Sequence, residues 1–190
     1  MTYPAANANA TRPLQAGGTL PEEVTVRTVD GEELDLRQVV LGRPVVLVFY
    51  RGGWCPYCNT HLKELAGIRH QLAELGVGLV ALSPDTPGKL AEALEGEQAL
   101  SYKLLSDSGH KAMTAFGVAF TVDPATDKQL RDFGVDLADW SGRSERVLPV
   151  PSVFVVDQSG TIRFAHAEPD YTTRLSGEDL LQAARDTVTA

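Results

Sequence analysis

An unbroken apolar run, Pro44-Val45-Val46-Leu47-Val48-Phe49-Tyr50, constrains this chain more than any other stretch. A half-exposed strand alternates apolar and polar side chains. A run without polar interruption and rich in β-branched residues therefore predicts a strand covered on both faces of its sheet. Arg51-Gly52-Gly53-Trp54-Cys55-Pro56-Tyr57-Cys58 follows at once. Beyond Cys58, the residues Leu62, Leu65, Ile68, Leu72 and Leu75 recur at spacings of three and four, which predicts one amphipathic helix ending at Gly76. A second buried strand is expected over Val77 to Leu82, a helix over Pro87 to Leu94 and a short strand at Lys103-Leu104-Leu105. This alternation predicts an α/β fold containing parallel βαβ units.

The flanks read differently. Val24 to Val29 alternate and Asp30-Gly31 supplies a turn, so two short edge strands are expected there. Val153 to Val156, a Gln158-Ser159-Gly160 turn and Thr161 to Ala165 predict a hairpin, and Gly177 to Thr187 a closing helix. Residues 119–147 carry Asp123-Pro124 and many charges, and are expected to be a surface insertion with a helix near Asp127 to Asp139. Residues 1–18, without apolar periodicity, read as a loose or strand-swapping arm, and residues 19–190 as one domain.

Composition excludes several functions. A chain of 190 residues with 43% hydrophobic content can bury a core of its own. A formal net charge of -8 gives no basic field for nucleic acid or an anionic membrane surface. The N-terminal residues lack the basic start and apolar run of a secretory signal, and no stretch approaches the length of a membrane span, so the expected location is the cytoplasm.

The two cysteines, three positions apart, carry the chemistry. Only a thiolate attacks, so a reactive cysteine needs something to lower its pKa. Cys55 follows the buried strand where the helix begins, and Pro56 suits the first helical position because its missing N–H would have been unpaired. Free amides and the helix dipole favour a negative sulfur there. Cys58, one turn on, is placed to attack an oxidised Cys55, so Cys55 is the candidate nucleophile and Cys58 the candidate resolver. A structural disulfide remains an alternative, although so short a ring constrains the unfolded chain little. A zinc site using Cys55, Cys58 and His61 is another, but it lacks a fourth ligand; neither a metal nor a cofactor is expected. Trp54 and Tyr57 are candidates for a substrate-facing surface, with plain packing as the alternative. His61 reads as a proton donor or as part of a solvated helix face. His110 and His166 have no assignable partner.

The segment from Phe49 to Cys58 resembles the active-site segment of peroxiredoxin-like members of the alkyl hydroperoxide reductase and thiol-specific antioxidant (AhpC/TSA) family. Ser83-Pro84-Asp85 and Val150-Pro151-Ser152-Val153-Phe154-Val155-Val156-Asp157 also match its strands, so the resemblance covers roughly residues 20 to 185. It implies a thioredoxin fold with a central mixed sheet flanked by helices, an N-terminal extension, and an insertion ahead of a strand that begins at a cis-proline. Val150-Pro151 is similar to the thioredoxin pattern in which that proline faces the redox pair, while Cys-Pro-Tyr-Cys is the glutaredoxin string.

The chain departs from typical peroxiredoxins at two positions: Gly52 stands where they carry a threonine, and Pro151 where they carry an arginine. A peroxide site needs a cation, and Arg51 is the nearest candidate, with pairing to a surface carboxylate as its alternative. Arg174, in the Pro169-Asp170-Tyr171-Thr172-Thr173-Arg174 stretch, is the second candidate. The resemblance implies a thiol peroxidase acting on hydrogen peroxide or organic hydroperoxides, reduced in turn by thioredoxin, glutaredoxin or glutathione; a homodimer is compatible with it. A thiol-disulfide oxidoreductase and a redox-sensing binding module are the rival functions.

Overall fold

The computed structural model describes residues 8–94 and 103–189. The expected first hairpin is present as β1 (Thr25–Arg27) and β2 (Glu33–Asp35), antiparallel with Val26 opposite Leu34. Helix α1 (Leu36–Val40) follows, started by the Asp35 carboxylate, which accepts from the Arg37 N–H at 2.8 Å. The apolar run forms β3 (Val45–Phe49), buried at every position.

The long helix expected after Cys58 is broken in two, α2 (Pro56–Gly67) and α3 (Arg69–Glu74). Gly67 is a weak helix former, and Ile68 leaves helical geometry with ψ 0° while its N–H bonds to the Ala66 carbonyl. Gly76, at φ 73°, then turns the chain as expected. Next come β4 (Gly78–Ser83), α4 (Pro87–Leu94) and β5 (Lys103–Ser106). β3, β4 and β5 are parallel neighbours, as the βαβ reading requires. Helix α5 (Lys111–Ala115) is held at its start by Asp107, whose carboxylate accepts the Ala112 and Met113 N–H groups.

The insertion begins with β6 (Ala119–Thr121) and ends with β7 (Val147–Pro149), paired as a two-stranded ladder. Its helix is not where the sequence suggested. Asp123 caps a helix that starts at Pro124, α6 (Pro124–Asp132), Gly134 ends it at φ 83°, and a second helix, α7 (Leu137–Ser141), follows. The closing hairpin is β8 (Ser152–Val156) and β9 (Ile162–Ala167), and α8 (Gly177–Thr189) completes the described chain.

Among the described residues the main sheet has the order β2-β1-β5-β4-β3-β8-β9. Alternation along β3 sends Val45, Leu47 and Phe49 to one core and Val46 and Val48 to the other. The first core holds α1, α5 and a cluster in which the rings of Phe49, Phe116 and Phe154 lie 5.0 to 5.9 Å apart. The second holds α2, α3, α4 and α8. This is the mixed sheet with helices on both faces that the thioredoxin-fold resemblance implied.

The loose arm is corrected over residues 8–18, and its first seven residues lie outside the described ones. The Arg12 and Leu14 N–H groups donate to the Gly117 and Phe116 carbonyls, Gly17 N–H to that of Ile162, and Ala8 is buried in the first core. The segment lacks periodicity because it pairs through its backbone, which leaves no side-chain pattern to read.

Candidate redox site

Cys55 is the residue preceding α2, in extended conformation (φ -91°, ψ 111°), with Pro56 as the first helical residue. The turn that delivers it depends on Gly52, at φ 141°: a Cβ there would overlap the Trp54 indole and come within 2.7 Å of Asp85 Oδ1. Cys55 N–H donates to the Gly52 carbonyl at 3.1 Å, and Asn59 Nδ2 to the Gly53 carbonyl at 2.8 Å. Both cysteines are reduced and buried, Cys55 at 1% exposure.

Their environments are opposite. A hydrogen bond from the Cys58 thiol, with the Arg51 and Arg174 charges, lowers the Cys55 pKa to about 6 against the opposing effect of burial. Burial and the neighbouring Cys55 push Cys58 well above the ordinary thiol value. Near neutral pH the ionised sulfur is that of Cys55.

Arg51, which follows β3, is 5% exposed and pairs with no carboxylate among the described residues. Its guanidinium lies 4.8 Å from the Trp54 ring centre and 4.2 Å from that of Tyr171. Arg174 reaches the site from the loop after β9: Nη2 donates to Cys58 Sγ at 3.2 Å and Nη1 to the Tyr171 carbonyl. The two candidate cations thus flank the pair together. Tyr57, 47% exposed, meets Tyr171 edge to face at 5.8 Å.

Val150 and Pro151 line a small apolar pocket with Arg51, Tyr171, Phe120 and Leu148. The expected cis bond is absent: every peptide bond described is trans. Val150 N–H donates to the Val118 carbonyl and the Pro151 carbonyl accepts from Glu168 N–H, so the chain runs extended from β7 into β8. Pro151, lacking an N–H, stands where one ladder gives way to the next.

His61 is buried rather than on a solvated face, because the loop into α8 covers it. Its Nε2 donates to the Leu175 carbonyl at 3.1 Å, and burial holds its pKa down to about 4. His110 precedes α5 and His166 lies in β9; neither bonds to a cysteine. Among the described residues no three His, Cys, Asp or Glu side chains gather as metal ligands.

Asp85 was not foreseen as part of the site. Its Oδ2 accepts the Gly53 N–H at 2.8 Å across 32 residues of sequence, and burial raises its pKa to about 7. Ser83-Pro84-Asp85 is visible in the sequence, but nothing local indicates that its carboxylate meets the redox turn. The insertion also contributes: Trp54 packs on its small core of Val122, Leu130, Leu137 and Leu148, and the Trp140 ring faces Gly53.

Among known proteins, Peroxiredoxin Bcp of Escherichia coli K12 is 33% identical over 106 residues, 56% of this chain and 66% of that protein. The chloroplastic Peroxiredoxin Q of Gentiana triflora is 26% identical over 149 residues, 78% of this chain and 58% of that one. The matched stretches span about half to two-thirds of such relatives' own length. The crystal structure of Peroxidoxin BcpB from Mycobacterium tuberculosis superposes with a TM-score of 0.67 at 21% identity, covering 93% of this chain and 97% of that one. The AhpC/TSA family model matches residues 17–165, which is most of the chain and contains the whole redox turn. The chain belongs to the AhpC/TSA family.

Proposed function

We propose that the chain is a thiol-dependent peroxidase acting on hydrogen peroxide or organic hydroperoxides. The observation that carries this is the buried pair itself, one thiol at the start of α2 and the other one turn on, with two guanidiniums beside them. The Cys55 thiolate attacks the O–O bond and becomes a sulfenic acid. Cys58 then displaces water from it, forming a disulfide that an external thiol such as thioredoxin, glutaredoxin or glutathione reduces. Arg51 supplies positive charge to the thiolate and to the leaving oxygen, and its two aromatic neighbours fix its guanidinium. Arg174 does the same from the Cys58 side. Tyr57 and the half-buried Trp54 form the surface that a substrate or reductant meets, while the buried Val150 and Pro151 line the pocket beside Arg51 and Tyr171.

Stopped-flow mixing of the reduced protein with hydrogen peroxide, followed by tryptophan fluorescence, tests this, since Trp54 adjoins the nucleophile. A fast second-order phase is expected. A rate no better than that of a free thiol, together with rapid reduction of a mixed disulfide, would instead identify a thiol-disulfide reductase. Gly52 and Pro151, where typical peroxiredoxins carry threonine and arginine, are the features that favour this second reading.

A further inference from the structure

When a thiolate reduces a peroxide, the departing oxygen needs a proton, and an ionised Cys55 has none to give. Cys58 keeps its own for the resolving step. Arg51 and Arg174 do not deprotonate. His61 is neutral, with its Nε2 proton committed to the Leu175 carbonyl.

Asp85 stands apart. It is 1% exposed, and while Oδ2 is held by Gly53 N–H, Oδ1 is buried without a hydrogen-bond partner and points at Gly52. Trp54 Nε1, which borders the same side of Gly52, is likewise buried and unpartnered. Such groups are rare in folded proteins because each is costly, and they concentrate at functional sites. Around the carboxyl stand the Ser83 hydroxyl of β4, Lys89 of α4, which is paired to Glu92 and to Asp139 of α7, and Cys55 itself. From β5 the Ser106 hydroxyl donates to the Asp85 main-chain carbonyl. Burial outweighs these contacts, so the carboxyl keeps its proton into the pH range in which Cys55 is ionised.

We propose that Asp85 is the proton donor for the oxygen that leaves during attack by Cys55, a role that rests on the peroxidase reading. In the step, the Cys55 sulfur–oxygen bond forms and the O–O bond breaks. Sulfur is oxidised, the peroxide is reduced, and the Asp85 proton ends on the released water or alcohol, directly or through one water. Asp85 is left as a carboxylate beside a neutral sulfenic acid. It recovers its proton from solvent once an external thiol restores the Cys55 thiolate.

Iodoacetamide provides the control, because it needs the same thiolate but releases iodide, which takes no proton. In the native protein the ratio of the peroxide rate to the alkylation rate is expected to fall about tenfold as pH rises through about 7. In Asp85→Asn the ratio should be flat with pH and roughly ten- to a hundredfold lower, with alkylation at about pH 8 within about twofold of native. Equal losses in both rates, or a native-like ratio in the variant, would overturn the proposal. Should the variant not fold, a flat ratio in the native protein overturns it alone. A native peroxide rate no better than that of a free thiol removes the peroxidase reading first, whatever the ratio does.

Discussion

The hydrogen bond from the Cys58 thiol is the largest influence holding the Cys55 pKa down to about 6. Cys58→Ala should therefore raise the Cys55 pKa by roughly a unit or more, whereas Cys58→Ser, which keeps a hydroxyl donor, should leave it near the native value. Thiolate ultraviolet absorbance against pH checks both, and identical titrations in the two variants would exclude the hydrogen bond as the cause. Arg51 presents a flat cation between two rings, a geometry that an ammonium cannot reproduce. Arg51→Lys should retain the fold and slow the peroxide reaction roughly ten- to a thousandfold. Unchanged kinetics in both Arg51→Lys and Arg174→Lys would remove the proposed cations. The placement of the cysteines and of Arg51 was legible because it follows from position relative to one strand and one helix. Asp85 and the burial of His61 were not, since each depends on a segment distant in sequence folding back over the site.

Among the elements, β3 and its neighbours were readable from apolar runs, but α1 and α5 were not. At five residues each they are too short to show a period, and each begins on a single aspartate cap. The packing of residues 8–18 was equally silent, because backbone hydrogen bonds hold it to the turn after α5 and to β9. Gly117 is its fulcrum: at φ 69° any side chain is strained, and a Cβ would overlap the Arg12 carbonyl. Gly117→Ala should lower stability by roughly 2–3 kcal/mol in thermal unfolding. Gly31→Ala, at φ 86° with open space around it, should lose only about 1 kcal/mol. Equal losses at the two positions would mean that the N-terminal contact contributes nothing.

For the molecule as a whole, a buried acid makes stability depend on pH in an unusual direction. In the unfolded chain an aspartate titrates near 4, whereas Asp85 in the fold titrates at about 7. Between these values the folded chain holds the extra proton, so the contribution of Asp85 to stability is full below about pH 4 and is lost as pH rises to about 7. Urea unfolding at several pH values should show native stability falling across this window relative to Asp85→Asn; a constant difference would contradict it. The outermost strands among the described residues, β2 and β9, have a further consequence, for solubility. An open sheet edge is a template on which another copy can add a strand. Here β2 carries Glu33, paired with Arg27, while β9 carries Arg163, paired with Asp157, and Thr19 bridges to Thr161 just before it. Adding a strand at either end would strip water from these charges, which disfavours runaway stacking into aggregates.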